Sequence, residues 1–345
     1  MAIPDEILDN ESSLLQVMTN PSEALVESLS TVEGPLVVVG AGGKMGPSLC
    51  LLAKRAAALS GRDLSVIALS RFSNRSEREW LEAQGIQTQR YDALALGDQA
   101  DLPDASHVVY LVGMKFGTGT NPELTWATNT IAPANIARRY ASVPMVALST
   151  GNVYPLVPAH SQGPSEASPL TPIGEYANAA VARERIFGHF SRVQGSQCAL
   201  LRLNYALDLR YGILVDLAQS ILERKPIDLT MSRVNCIWQG DANDRILRSL
   251  KLAESPAVAF NLTSPQSYMI RDLASQLGSH LEVEPQFVGE PATSALLSDA
   301  SRLCELLGDP ETPIETVIRW TAAWLKNGGN VLGRPTKFQV RDGKY

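Results

Sequence analysis

One stretch restricts this chain more than any other: PLVVVGAGGKMGPSLCLLAKRAAALSG, residues 35–61. An apolar run of strand type leads into four glycines, Gly40, Gly42, Gly43 and Gly46, and then into an Ala/Leu-rich segment that stops at Gly61. The order predicts strand, tight turn and helix. Pro47 falls just inside the helix start, where its missing N–H costs nothing. Glycines in such a turn let the chain bend sharply and let a pyrophosphate come close to the backbone. Its charge is then met by the N–H groups and positive dipole end of the helix, here around Lys44 and Met45.

The alternation continues downstream. Leu64–Leu69 predicts a second strand, followed by a Ser- and Arg-rich helix through Gln84, which completes a βαβ unit. Further strands are expected at Ile86–Tyr91, His107–Leu111, Pro144–Ser149 and Ala199–Leu203, with helices from about Thr125 to Tyr140 and from about Tyr176 to Ser191. Nearly all-apolar strands alternating with helices predict an α/β fold, a Rossmann-type doubly wound parallel sheet, with a smaller C-terminal substrate-binding lobe. The chain divides into an acidic helical arm (1–33), a dinucleotide-binding domain (34–207), a mainly substrate-binding lobe (208–330) and a tail packed on the surface (331–345). Within the lobe, Val258–Thr263 reads as a short isolated strand.

Composition narrows the partners. Thirty basic against 36 acidic residues give a net charge of −6, which argues against a dedicated nucleic-acid binder, because phosphate binding depends on clustered Lys and Arg. Cys50, Cys198, Cys236 and Cys304 lie far apart, as do His107, His160, His189 and His280; neither set has metal-ligand spacing, so no metal is expected and the cysteines read as reduced thiols. The acidic N-terminal segment lacks a signal peptide's basic and apolar regions, and no run approaches the ~18 apolar residues of a membrane span. A soluble, cytoplasmic protein is the expectation.

The second strand ends in Ser70-Arg71 where an acid usually holds the ribose hydroxyls of NAD. An arginine there can pair with a 2′-phosphate, which favours NADP slightly over NAD.

Taken together these residues resemble the extended short-chain dehydrogenase/reductases, the NAD-dependent epimerase/dehydratase family, and in particular its UDP-galactose 4-epimerase-like members. The likeness runs from about residue 35 to residue 325. VVGAGGKMG looks like the family's glycine fingerprint, with Gly40, Gly43 and Gly46 at the GxxGxxG positions; YDAL resembles the segment whose acid, Asp92, touches adenine. VVYLVGMKFGTG is similar to the stretch, with Gly113, that carries a lysine near the cofactor phosphates and ribose, which places Lys115 there. Asn129 matches the family's helix asparagine. PMVALSTGNVYP puts Thr150 at the hydroxyl that polarises the substrate oxygen, and PIGEYANAAVARERIF puts Tyr176 at the YxxxK tyrosine. LLRLNYA places Asn204 at a sugar-nucleotide contact, and IWQGDAND matches Asp241 to a family acid. The resemblance implies hydride transfer on a sugar or nucleotide-sugar-like substrate, usually by a homodimer. Asn204, Trp238 and Arg245 come from stretches that would line the substrate cleft, with packing in the core as the alternative for Trp238, and Asn152 and Tyr154 either reach substrate hydroxyls or shape the turn.

One position departs from the pattern. Four residues after Tyr176 the family has lysine, and this chain has Ala180. A lysine one helical turn on would lower the tyrosine's pKa and hold the nicotinamide ribose. Without it a phenol of pKa ~10 is only about 0.1% ionised at pH 7, which costs about a thousandfold in rate if nothing compensates. Three readings follow. Another cation takes over, Lys115 being the best placed and Arg183 lying at i+7, about 10 Å along the axis. Or the reaction uses Tyr176 as a neutral proton donor, as a reductase would. Or the chain binds dinucleotide without turnover, as a sensor or subunit.

Overall fold

The computed structural model describes residues 8, 10–95, 99, 101–115 and 117–344. Seven strands form one parallel sheet: β1 (Leu36–Val39), β2 (Val66–Ser70), β3 (Gln87–Arg90), β4 (His107–Tyr110), β5 (Met145–Thr150), β6 (Cys198–Leu203) and β7 (Val258–Leu262), in the order β7-β6-β5-β4-β1-β2-β3. The sheet is doubly wound, as expected, with its topological switch point between β1 and β4. In β1 all four residues are buried because both faces are covered: Leu36 and Val38 enter one core, Val37 and Val39 the other.

Helices α1 (Glu11–Met18) and α2 (Glu23–Leu29) precede the sheet; α3 (Gly46–Leu59) and α4 (Arg75–Ala83) follow β1 and β2. On the opposite face α5 (Pro122–Arg139) and α6 (Gly174–Gln194) lie side by side. After β6 come α7 (Ile213–Leu222), α8 (Gln239–Arg248), α9 (Ile270–Leu281), α10 (Ser301–Leu307) and α11 (Ile314–Lys326). A separate core forms where α7, α9 and α11 meet, around Trp238, Trp320 and Trp324. No helix among the described residues is long and apolar enough to cross a membrane.

Three expectations change. Val258–Leu262 is the edge strand of the main sheet, paired in parallel with β6 from Val258↔Ala199 to Leu262↔Leu203. The described part of the N-terminal segment is docked rather than free as an arm: Leu14 and Met18 enter the upper core, Leu25 and Leu29 the sheet core, and the Ser22 hydroxyl donates to Asp244 on α8 at 2.6 Å. Residues 1–7 and 9 lie outside the described residues. The C-terminal segment is no surface tail, since Phe338 is fully buried in the upper core and Thr336 lines the main cleft. Both segments bury large apolar side chains, each contributing about 1.5–3 kcal/mol on transfer from water.

Candidate active site

The site starts at the turn after β1. Gly40 has φ +89°, and its N–H and that of Ala41 both donate to the Leu69 carbonyl, at 2.8 and 3.1 Å, which ties the turn to β2. A side chain on Gly42 would meet Ser70 Oγ at 2.7 Å, and one on Gly46 would collide with the Ala41 backbone. The turn is therefore closed against its neighbours, and the first turn of α3, which has no intrahelical acceptors for its N–H groups, points its positive end at the groove.

Two adjoining hollows, of about 270 and 300 Å³, meet at this turn and share Gly40, Gly43, Leu111, Gly113 and Met114. The first also holds Ser70, Arg71, Asp92 and Ala93. The Asp92 carboxylate accepts the Leu94 N–H at 3.0 Å, which shapes the loop beyond β3. The second holds Lys44, Met45, Gly46, Lys115, Thr150, Asn152, Tyr176 and Asn204. The glycine turn and the N-terminal end of α3 could hold a pyrophosphate, and the hollows on either side of it are where the two halves of a dinucleotide would lie. Of the cofactor residues expected from sequence, Asn129 alone stays outside both hollows. It is buried in α5 and donates to the Thr125 carbonyl at 2.8 Å.

Beyond the turn, Thr150 ends β5 and Tyr176 lies in the first turn of α6. Both are buried to within a tenth of their surface and face one cleft. A polar network fixes α6 under them. Glu184 receives Arg202 through Nη2 at 2.8 Å and Nε at 3.0 Å, and the Ser149 hydroxyl at 2.5 Å; Arg202 Nη1 also donates to the Tyr154 hydroxyl at 2.7 Å, which donates on to Asn261. Tyr154, expected near the substrate, thus belongs to the support beneath the site. Ala180 is fully buried with Val153, Tyr154, Leu170 and Val181, so the i+4 position meets an apolar packing surface.

Three cations line the same cleft. Lys44 donates to the Ala206 carbonyl at 3.0 Å, with its amine 4.0 Å from the centre of the Tyr211 ring; burial pulls its pKa down to about 7, against the opposing pull of Asp208. Lys115 donates to the Thr336 carbonyl at 3.0 Å and lies 5.5 Å over the Tyr205 ring; burial pulls it down to about 8. Arg183, on the Tyr176 helix, reaches the cleft with its side chain and donates from Nη1 to the Val112 carbonyl at 2.9 Å. A Cβ on Gly113 would press on the same guanidinium, so glycine there leaves room for it.

The substrate residues divide. Asn152 and Asn204 line the cleft, and Asn204 Nδ2 donates to Ser298 Oγ at 2.9 Å. Trp238 and Arg245 do not reach it. Trp238 packs edge-on against Trp320, with ring centres 5.5 Å apart, and the Arg245 guanidinium donates to the Gly308 carbonyl. Asp241 is likewise remote: it accepts the Thr312 N–H and hydroxyl at 2.9 Å, and burial raises its pKa to about 6. Tyr205, Tyr211 and Thr336 line the cleft without having been singled out in the sequence. Tyr205 adjoins Asn204 in LLRLNYA and was within reach of the motif; nothing marks Thr336.

Fold and site together define a dinucleotide-binding α/β protein of Rossmann type. Residues 36–206 match the model of the NAD dependent epimerase/dehydratase family. No curated protein matches the chain. Among solved structures it is similar to a UDP-galactose 4-epimerase (18% identity, 85% of this chain and 99% of that one, TM-score 0.65). It is also similar to the UDP-glucuronic acid 4-epimerase from Bacillus cereus in complex with NAD (16%, 85% and 98%, 0.70). A third likeness is to an epimerase from Methanothermobacter thermautotrophicus (17%, 90% and 97%, 0.71). At these identities the likeness is one of fold.

Proposed function

We propose that the protein is an NAD(P)-dependent epimerase, dehydratase or reductase acting on a sugar or nucleotide-sugar-like substrate. The observation that carries this reading is the convergence of Tyr176 and Thr150 with the glycine turn on one cleft, in company with buried cations. A bound nicotinamide supplies the acceptor or donor of hydride. Tyr176 exchanges the proton of the substrate hydroxyl, and Thr150 donates a hydrogen bond to the same oxygen. Lys115, whose pKa of about 8 keeps it mostly protonated at pH 7, supplies the charge that Ala180 lacks. Arg183 adds a second, permanent cation from beneath.

Arg71 at the adenosine end supports a preference for NADP, while solved relatives of this fold carry NAD. The exposed Leu124, Trp126 and Ile131 of α5, beside α6, support a two-fold dimer through these helices. The sealing of Ala180 in an apolar cluster favours a second reading, a dinucleotide-binding subunit without turnover. The two separate on one experiment. Full-length protein is incubated with NAD(P) and a panel of nucleotide sugars, and reduced-nicotinamide absorbance and product formation are followed. Turnover that falls about a hundred- to ten-thousandfold in Tyr176→Phe supports the enzyme; full activity in that variant removes Tyr176 from the chemistry.

A further inference from the structure

Residues 331–344 follow a path that the sheet does not require. Thr336 is clasped by Asp216 of α7, which accepts its N–H at 2.8 Å and its hydroxyl at 2.5 Å. Its carbonyl, on the other side, receives the Lys115 amine. Two residues on, Phe338 is a plug in the upper core. Arg341 then donates to the Ser294 carbonyl at 2.8 Å and to its hydroxyl at 2.7 Å. Finally Gly343 packs backbone to backbone on Ile173 and Gly174, where α6 begins, two residues before Tyr176; both glycines have positive φ, and a side chain on either would collide with the other strand of chain.

The segment is therefore tied to the cleft at both of its catalytic edges, the loop that carries Lys115 and the helix that carries Tyr176. A direct pair with Asp216 would turn the Lys115 ammonium toward the carboxylate and offset its charge. Thr336 stands between them, satisfies the carboxylate with two donors and offers the amine a neutral carbonyl. We propose that the C-terminal segment is a strap that completes the active site, with Thr336 as a positioning residue holding Lys115 in the cleft beside Tyr176. This rests on the reading of Lys115 above as the cation that serves Tyr176, and it adds the element that places the amine.

The test uses the full chain without cofactor or substrate. Lys115 is acetylated with a limiting dose of acetic anhydride at pH 8 and quantified by peptide mass spectrometry against the surface residue Lys225. Thr336→Val and Arg341→Ala are expected to speed labelling of Lys115 about tenfold, the scale of losing a charge-assisted hydrogen bond. Thr336→Ser keeps the hydroxyl and is expected to label as the wild type does. The reciprocal measurement needs no change in the strap: Lys115→Met should raise the rate of proteolytic cleavage after Lys337 about tenfold. Labelling of Lys115 that is the same in Thr336→Val, Arg341→Ala and wild type, or a cleavage rate unmoved by Lys115→Met, overturns the proposal. Neither readout involves turnover. If the strap behaves as described and no nucleotide sugar is converted, the proposed chemistry fails and the strap remains; if catalysis is present and labelling does not change, the strap fails alone.

Discussion

The two ends of the groove are built differently. At the Arg71 end Gly40–Gly43, Ser70–Arg71 and Asp92–Leu94 come from three successive strand-to-loop junctions, and most of what they present is backbone shape. At the other end Lys44, Lys115, Tyr176, Asn204, Tyr211 and Thr336 come from five separate segments, and what they present is side-chain charge and hydroxyls. A single local sequence can specify the first surface. The second exists only once the whole chain has folded, so no single stretch of sequence specifies it.

The largest effect expected on this contrast falls on the backbone-built end. Gly46→Ala drives a methyl group into the Ala41 backbone, so it should destabilise by about 3 kcal/mol and abolish dinucleotide binding. Thermal unfolding and quenching of bound reduced-nicotinamide fluorescence would show both; near-native values would mean that the turn has slack the structure does not show.

At the charge-built end Lys44 gives a pH signature. An unfolded lysine takes its proton below about pH 10.5, whereas the folded one waits until about 7. The folded state thus carries a penalty that is absent at pH 11, grows as pH falls to about 7 and is constant below. Lys44→Met removes it, so the variant's stability relative to wild type should rise as pH falls from 10 to 7 and then level off. Denaturant midpoints at pH 6.5, 8.5 and 10 test this; a difference independent of pH would show that the amine titrates normally.

The smallest effect is at the rim. Arg71 is exposed, and Arg71→Ala should lower the NADP/NAD affinity ratio about tenfold, the worth of one charge-assisted contact. An unchanged ratio would place cofactor choice elsewhere.

The same contrast explains how much the sequence disclosed. The sheet was legible because strands such as LVVV are buried on both faces and the glycine turn breaks at one place only. Thr150, Tyr176 and Lys115 were legible as matches to a known pattern, and they do share a cleft. The edge strand Val258–Leu262 was misplaced because it pairs with β6 across more than fifty residues, a distance over which apolar periodicity carries no partner information. For Trp238 the core-packing alternative holds and Arg245 lies away from the cleft, because the motif that contains them does not say which way each side chain faces: the indole packs on Trp320 and the guanidinium donates to the carbonyl after α10. Thr336 could not have been found at all, since its bond to Lys115 spans 221 positions and the segment around it has no periodicity.

The proposed chemistry is hydride transfer supported by Tyr176 and the cations around it despite Ala180. Its most direct measurement is single turnover with nucleotide sugars deuterated at the reacting carbon, followed by reduced-nicotinamide absorbance and by mass of the recovered cofactor. The expected result is deuterium on the nicotinamide, a primary isotope effect on its appearance, and loss of both in Tyr176→Phe. Tight cofactor binding with no deuterium transferred from any nucleotide sugar would contradict it.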